Sequence, residues 1–334
     1  MVREMRFTPE PASPGGRTRS PGSPKRSGRA QRHRRRVRRL VGVPAYATKQ
    51  RIKNSVYRTI GTVGSHVGAG RRRNGLRVLL YHKVNDVEGN PGAVPTRLFA
   101  DHVESLEAMG YRVVGLEEIV ECFRRGTAPP ANAILITFDD GYRDNLENAA
   151  PVLSRLGYPA VVFVSVGHVG TERPMPHDER LAVTNPLLDW DGLAEIEQHG
   201  VRVESHGIDH VALSRLPLDE ARRQIVESRS TLEERLGRPV RAYAFVKGSR
   251  ADQGPEHAEM LAAAGYAVGF TTVTGSNSTG ANPYLLRRYN VEPYPTRTLE
   301  LVLSGACDAI ALKDSEIGTS ARKAFNAVLR TASR

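Results

Sequence analysis

The chain has 334 residues, 40% of them hydrophobic, with 48 Lys and Arg against 36 Asp and Glu for a formal charge of +12. This is length for one large α/β domain or two ordinary ones, and no run approaches the ~18–20 apolar residues that span a bilayer. The charge is uneven: residues 1–75 hold 20 Lys and Arg against Glu4 and Glu10, a net of +18, so the remainder carries 12 − 18 = −6.

Residues 1–45 mix Pro, Gly and Ser with Arg and offer little to bury, which predicts a disordered basic tail. Within it "RRVRRLVGVPAYA" imitates a secretory signal, but its apolar centre, Leu40 to Pro44, is shorter than the ~7 residues such signals need. The tail lacks interleaved aromatics for base stacking, so no specific nucleic acid is expected. Residues 46–75 read as a basic amphipathic helix and linker. There Ile52, Val56, Ile60 and Val63 recur at helical spacing among Lys49, Arg51, Lys53 and Arg58. Such a helix either lies on an anionic membrane surface or covers part of the body.

From residue 76, β-branched runs alternate with helical patterns. "RVLLY" (77–81) reads as a strand, "TRLFADHVESLEAMG" (96–110) as a helix with Thr96 placed to cap it, and "YRVVGL" as a short strand. Helix "EEIVECFRRG", strand "AILITF", helix "RDNLENAAPVLSRLG" and strand "PAVVFVSV" follow. The pattern continues through "WDGLAEIEQHG", "VRVES", "PLDEARRQIVESRSTLEERLG", "RAYAF", "GPEHAEMLAAAG" and "YAVGFTT", and closes with "YLLRRYNV" and "TRTLELVLSG". Repeated strand–helix units predict a parallel sheet with helices outside, closed as a barrel or doubly wound. Cys122 and Cys307 make no disulfide framework and are not spaced as a metal site.

Four of the strands end in ionisable groups. His82 follows "RVLLY", Asp139 and Asp140 follow "ILITF", His206 follows "VRVES", and Lys247 comes just after "AYAF". Parallel α/β proteins build active sites from these C-terminal strand ends. Two adjacent carboxylates there are costly unless paired. In isolation one Asp caps the helix starting near Tyr142 and the other is solvated. His206 and His210 change that balance: four apart, they share one face of a helical turn and can grip one ion. Two imidazoles and a carboxylate make a three-ligand site for Zn²⁺ or a similar borderline metal.

The motifs "TFDDGY", "SHGIDHVAL", "AYAFVKGS", "YAVGFTTVTGSN" and "LLRRYNV", in this order over about residues 77–303, resemble the polysaccharide deacetylases of the NodB-homology type, carbohydrate esterase family 4. "LLYHKV" makes the chain similar to the "YH"-motif subgroup of biofilm poly-N-acetylglucosamine deacetylases. The resemblance implies a distorted (β/α) barrel of about seven parallel strands within residues 76–334. It implies a metal-dependent hydrolase that removes N-acetyl groups from N-acetylhexosamine units of a glycan, releasing acetate. By the same resemblance Asp139 is the catalytic base, and Asp140, His206 and His210 hold a divalent metal, Zn²⁺ first and Co²⁺ or Ni²⁺ otherwise. His82 is the general acid, Lys247 the backbone donor to the oxyanion, and Arg288 steadies Asp139, with Arg287 the competing choice. Relatives act mostly in the cell envelope or outside, which favours an envelope or peripheral-membrane location, with the cytoplasm left open by the short signal-like stretch. The partner implied is an N-acetylated glycan, with the basic N-terminal segment available to an anionic membrane or to glycan.

The chain also departs from the family. A proline usual before the oxyanion donor is replaced in "FVKG" by Val246 and Lys247, and "GACDAIAL" lacks a late-motif histidine. The altered loop sustains an alternative, a carbohydrate-binding or scaffolding protein of the same fold with impaired catalysis. The loop 167–189 has no pattern from which a fold can be read.

Overall fold

The computed structural model describes residues 51, 54–63 and 75–307. The tail expected over 1–45 and Ile52 lie outside them. The strands are β1 (Arg77–Tyr81), β2 (Lys83–Val84), β3 (Ala93–Val94), β4 (Arg112–Val113), β5 (Ala133–Phe138), β6 (Ala160–Val164), β7 (Val201–Ser205), β8 (Ala242–Ala244), β9 (Val268–Phe270) and β10 (Tyr289–Asn290). Seven of them run in the order β10-β1-β5-β6-β7-β8-β9, every pairing parallel, with β4 added beside β5. The ends of this path meet. Thr271 N–H donates to Leu286 O (2.7 Å) and Leu286 N–H to Gly269 O (2.8 Å), so the segment entering β10 bonds to β9. The result is the expected distorted barrel. β2 and β3, a short parallel pair in the loop after β1, have no counterpart among the predicted strands.

Period-two alternation sorts the strand residues. Val78, Ala133, Leu135, Val161, Phe163, Ala244 and Phe270 form one buried cluster, the barrel interior. Their neighbours Leu79, Tyr81, Ile134, Ile136, Phe138, Val162 and Val203 pack outward against the helices. Asp139 has the interior parity of residues 133, 135 and 137, so its carboxylate caps the barrel's inside.

The helices of the body are α1 (Thr96–Ala108), α2 (Leu116–Arg125), α3 (Ala150–Leu156), α4 (Trp190–Gln198), α5 (Leu218–Leu236), α6 (Pro255–Ala263) and α7 (Thr296–Leu303). One local expectation is corrected. Pro95, not Thr96, is the N-cap of α1, and the Thr96 amide donates to Asp86 Oδ1 (3.1 Å). The helix expected from Arg143 begins there and passes through a π-helical turn over Asn145–Ala149, in which the Ala150 amide reaches Asn145 O. Pro151 has no N–H with which to continue the tighter ladder.

Residues 54–63 are helical, as the spacing predicts. The face that docks differs from the Ile/Val stripe, because Val56 (46%) and Val63 (59%) are exposed. Contact runs through Tyr57, whose ring meets Tyr294 at 5.9 Å, and through Gly61, where a Cβ would stand 2.9 Å from Leu301 Cβ. This helix covers part of the body.

Candidate active site and metal centre

The pairing of Tyr81 with Phe138 puts His82 and Asp139 side by side, one residue past the ends of β1 and β5. Asp140 (φ 76°) and Gly141 (φ 75°) then both take the left-handed conformation. Asp tolerates that region at some cost. Gly141 is required, since a Cβ there would meet Val164 Cγ1 at 2.8 Å. The turn keeps both buried carboxylates at one cavity of about 780 Å³, shared with His82, His177, His206 and His210.

The two like charges have different partners. Asp139 is held in a fork by Arg288, Nη1 to Oδ1 and Nη2 to Oδ2, both at 2.7 Å. Arg288 is fully buried, donates from Nε to Thr271 O (2.9 Å), and lies over the Phe163 ring. Burial alone would push the Asp139 carboxyl up, but the charges of Arg288 and His206 outweigh it and hold it below the usual carboxylate range. Arg287 lies elsewhere, with its backbone bonded to Asn277 and its side chain against Gly275. Of the two arginines, Arg288 is the one in contact with Asp139.

Asp140 is ringed by imidazoles. His210 Nε2 stands 2.9 Å and His206 Nε2 3.5 Å from Oδ1, and His177 Nε2 3.6 Å from Oδ2. Burial raises the Asp140 carboxyl, yet His210 and His206 hold it well below its ordinary value. None of these approaches has hydrogen-bond geometry, and both Asp140 oxygens are buried without a donor. His206 Nδ1 lies 2.8 Å from Ala244 O. A carbonyl only accepts, so Nδ1 carries the hydrogen, and in the neutral tautomer the Nε2 lone pair faces Asp140. Two acceptors facing across that gap call for a cation, which is the chemistry of a divalent-metal site with an outer hydrogen bond fixing the tautomer. Burial lowers the His206 pKa, but Asp139 and Asp140 more than compensate and raise it.

Asp140, His206 and His210 are therefore brought together as expected. The local geometry differs: residues 206–212 form no helical turn. The loop bends at Gly207 (φ 82°) and His210 (φ 52°), and Gln224 of α5 braces it by accepting from the amides of Ile208 (2.9 Å) and Asp209 (3.0 Å).

His177 is the residue that sequence reasoning missed. Its nearest donor atom and those of Asp140 and His210 all lie within 4.8 Å of one another, so it is a further candidate ligand. Burial lowers its pKa, against the nearby carboxylates of Asp140 and Asp178. It arrives on the loop 167–189, anchored by a buried ion pair between Lys83 Nζ and Asp178 Oδ1 (3.0 Å). Tyr142 Oη donates to Asp178 Oδ2 (2.8 Å) and lies 2.9 Å from His177 Nε2.

Lys247 sits at φ 60°, clamped by Thr272 Oγ1 donating to its carbonyl (2.5 Å) and by the Gly248 amide donating to Val246 O (2.7 Å). Its own amide meets no acceptor among the described residues, and the residue lines the cavity. The strained loop thus holds Lys247 at the cavity edge. His82 lines the cavity as well, with its carbonyl accepting from Asn145 Nδ2 (2.8 Å).

Residues 126–269 match the family model "Polysaccharide deacetylase". A Bacillus subtilis (strain 168) protein, YxkH, assigned by its name to the polysaccharide deacetylases, is 28% identical over 218 residues, covering 65% of this chain and 72% of that one. The poly-beta-1,6-N-acetyl-D-glucosamine N-deacetylase of Escherichia coli K12 is 28% identical over 127 residues, 37% of this chain and only 18% of that protein. Among solved structures, IcaB from Ammonifex degensii superposes with a TM-score of 0.60 at 26% identity, covering 69% of this chain and 97% of that one. The Streptococcus pyogenes deacetylase PplD, solved with acetate, shares the fold at a TM-score of 0.58 and 22% identity, covering 69% and 98% of the two chains.

Proposed function

We propose, on the premise that this chain belongs to the polysaccharide deacetylase family, that it hydrolyses N-acetyl groups from N-acetylhexosamine units of a glycan. The observation that carries this reading is the division of labour between two adjacent buried carboxylates. Asp139 is kept ionised by a buried guanidinium, and Asp140 is left without a donor among three imidazoles. Asp140, His206 and His210, with His177 as a further candidate, would hold a divalent ion, Zn²⁺ foremost for this mixed N/O donor set. The chemistry such an ion supplies when bound is Lewis acidity, which polarises an amide carbonyl and acidifies water.

The chain's own residues provide the rest. Asp139 accepts the proton of the attacking water, and Arg288 keeps it deprotonated until then. The Lys247 N–H donates to the oxygen that becomes negative as the acetamide carbonyl turns tetrahedral. His82, on the neighbouring strand end, gives a proton to the departing sugar amine, which leaves together with acetate.

The test is acetate release from N-acetylglucosamine oligomers by Zn²⁺-loaded protein. Asp139→Asn should abolish it while metal content, read by elemental analysis, stays at the wild-type level. Tight oligomer binding with no acetate from the wild type would instead favour a carbohydrate-binding protein with impaired catalysis.

A further inference from the structure

The cavity wall nearest β10 is completed by a residue from outside the barrel. Tyr57, on the helix over residues 54–63, lines the cavity with Asn290 and Glu292. It supplies the one phenol or phenyl ring among the described residues there. The chain's single tryptophan, Trp190, is occupied elsewhere, stacked under the Arg235 guanidinium at 5.1 Å. The position of Tyr57 is built: its ring leans on Tyr294, Cys307 Sγ approaches its carbonyl at 3.5 Å, and Gly61 one turn on lets the helix lie directly against Leu301 and Cys307.

We propose that Tyr57 is a sugar-stacking residue and that the helix of residues 54–63 is part of the substrate site. This rests on the glycan reading above and specifies it. A pyranose ring presents a face of C–H bonds with partial positive charge, which suits the negative face of an aromatic ring, while its hydroxyls seek polar neighbours. Asn290 and Glu292 supply those neighbours. The side of the cavity also agrees. Asn290 pairs with Leu80 of β1, so Tyr57, Asn290 and Glu292 lie beside His82. The nitrogen that His82 protonates belongs to the sugar, so the sugar must lie on that side, and the acetyl group toward Asp140 and the histidines. The family match spans residues 126–269 and does not include this helix.

The test compares wild type, Tyr57→Ala, Tyr57→Phe and Gly61→Val in two measurements. These are steady-state acetate release from an N-acetylglucosamine tetramer, and calorimetric binding of the tetramer to the Asp139→Asn background. Tyr57→Ala should raise KM and weaken binding roughly five- to tenfold, the range of a lost aromatic contact, with little change in kcat. Tyr57→Phe should keep wild-type values, because it keeps the ring. Gly61→Val should reproduce the KM effect, since it displaces the helix and leaves the cavity side chains intact. Equal tetramer affinity and KM in wild type and Tyr57→Ala would overturn the proposal. If the wild type released no acetate but Tyr57→Ala still lost tetramer binding, deacetylation would fall and the sugar subsite would stand.

Discussion

Replacing Arg288 by Met tests whether the base is held by a buried charge. Asp139 is 2% exposed and Arg288 0%, so removing the guanidinium strands a carboxylate in the barrel mouth. The variant must protonate it, and keeping a carboxylic acid of ordinary pKa protonated at pH 7 costs about 4 kcal/mol. That agrees with the roughly 3–5 kcal/mol lost when a buried ion pair is broken on one side. The sign can be followed with pH. In the wild type the Asp139 pKa is depressed, so its contribution is present above the unfolded value and lost as pH falls through the folded one. In Arg288→Met the pKa is raised, so the penalty grows as pH rises. Urea denaturation of both chelated proteins should show a gap of about 4 kcal/mol at pH 7. The gap should narrow as pH falls toward about 4 and close to about 1 kcal/mol only once pH is below the depressed pKa of Asp139, the residue of the lost hydrogen bonds to Thr271 O and Thr137. Asp139→Asn/Arg288→Met should recover much of the loss at pH 7. A gap independent of pH, or one under 1 kcal/mol at pH 7, would refute the buried-pair account.

Other consequences follow from neighbouring groups. Burial pushes the Asp144 carboxyl up to about 6, against a hydrogen bond from Asn85. Its stabilising share is therefore present below about pH 4 and lost as pH rises through 6. Asp144→Asn should match the wild type near pH 4 and exceed it by at most about 3 kcal/mol at pH 8, measured by urea midpoint. Chelation should stop acetate release and lower the melting temperature, and added Zn²⁺ should restore both. Recovery in excess chelator would count against a metal site at Asp140. His82→Ala should lower kcat by about 10²–10⁴ with metal content intact, and a loss below tenfold would move the acid role elsewhere. Gly141→Ala, which forces a Cβ to 2.8 Å from Val164 Cγ1 at positive φ, should cost about 1–3 kcal/mol and weaken metal retention, read by thermal melting and dialysis.

How far the sequence alone reached depends on which force set each feature. β1, β5 and β7 match "RVLLY", "AILITF" and "VRVES" to the residue, because β1 and β5, buried on both faces, carry nearly continuous apolar runs and β7 alternates Val201 and Val203 with polar residues. The strands nearest closure, β9 and β10, are shorter than "YAVGFTT" and "YLLRRYNV" suggest. There Leu286 bonds to β9 as an isolated bridge, and such closure is a tertiary outcome that local propensity does not encode. The paired histidines were legible as a pair but not in their geometry. A four-residue spacing fits a helical turn, yet Gly207 and His210 at positive φ achieve the same convergence in a loop.

The parts of the site that escaped pattern reasoning share a physical cause. His177 and Tyr57 reach the cavity from segments whose placement is decided by single long-range contacts rather than by periodicity. The Lys83–Asp178 pair spans 95 residues, and the Cys307–Tyr57 contact spans 250. Periodicity reports which face of an element is apolar, and on the helix of residues 54–63 it pointed to Val56 and Val63, which are exposed. What seats that helix is the missing side chain of Gly61, which allows backbone to approach α7 at a distance no larger residue permits. Absence of a side chain leaves no mark in a hydrophobic pattern. The barrel and its paired charges could thus be read from the chain itself, whereas the cavity walls contributed by Tyr57 and His177 depend on how distant segments come to rest on it.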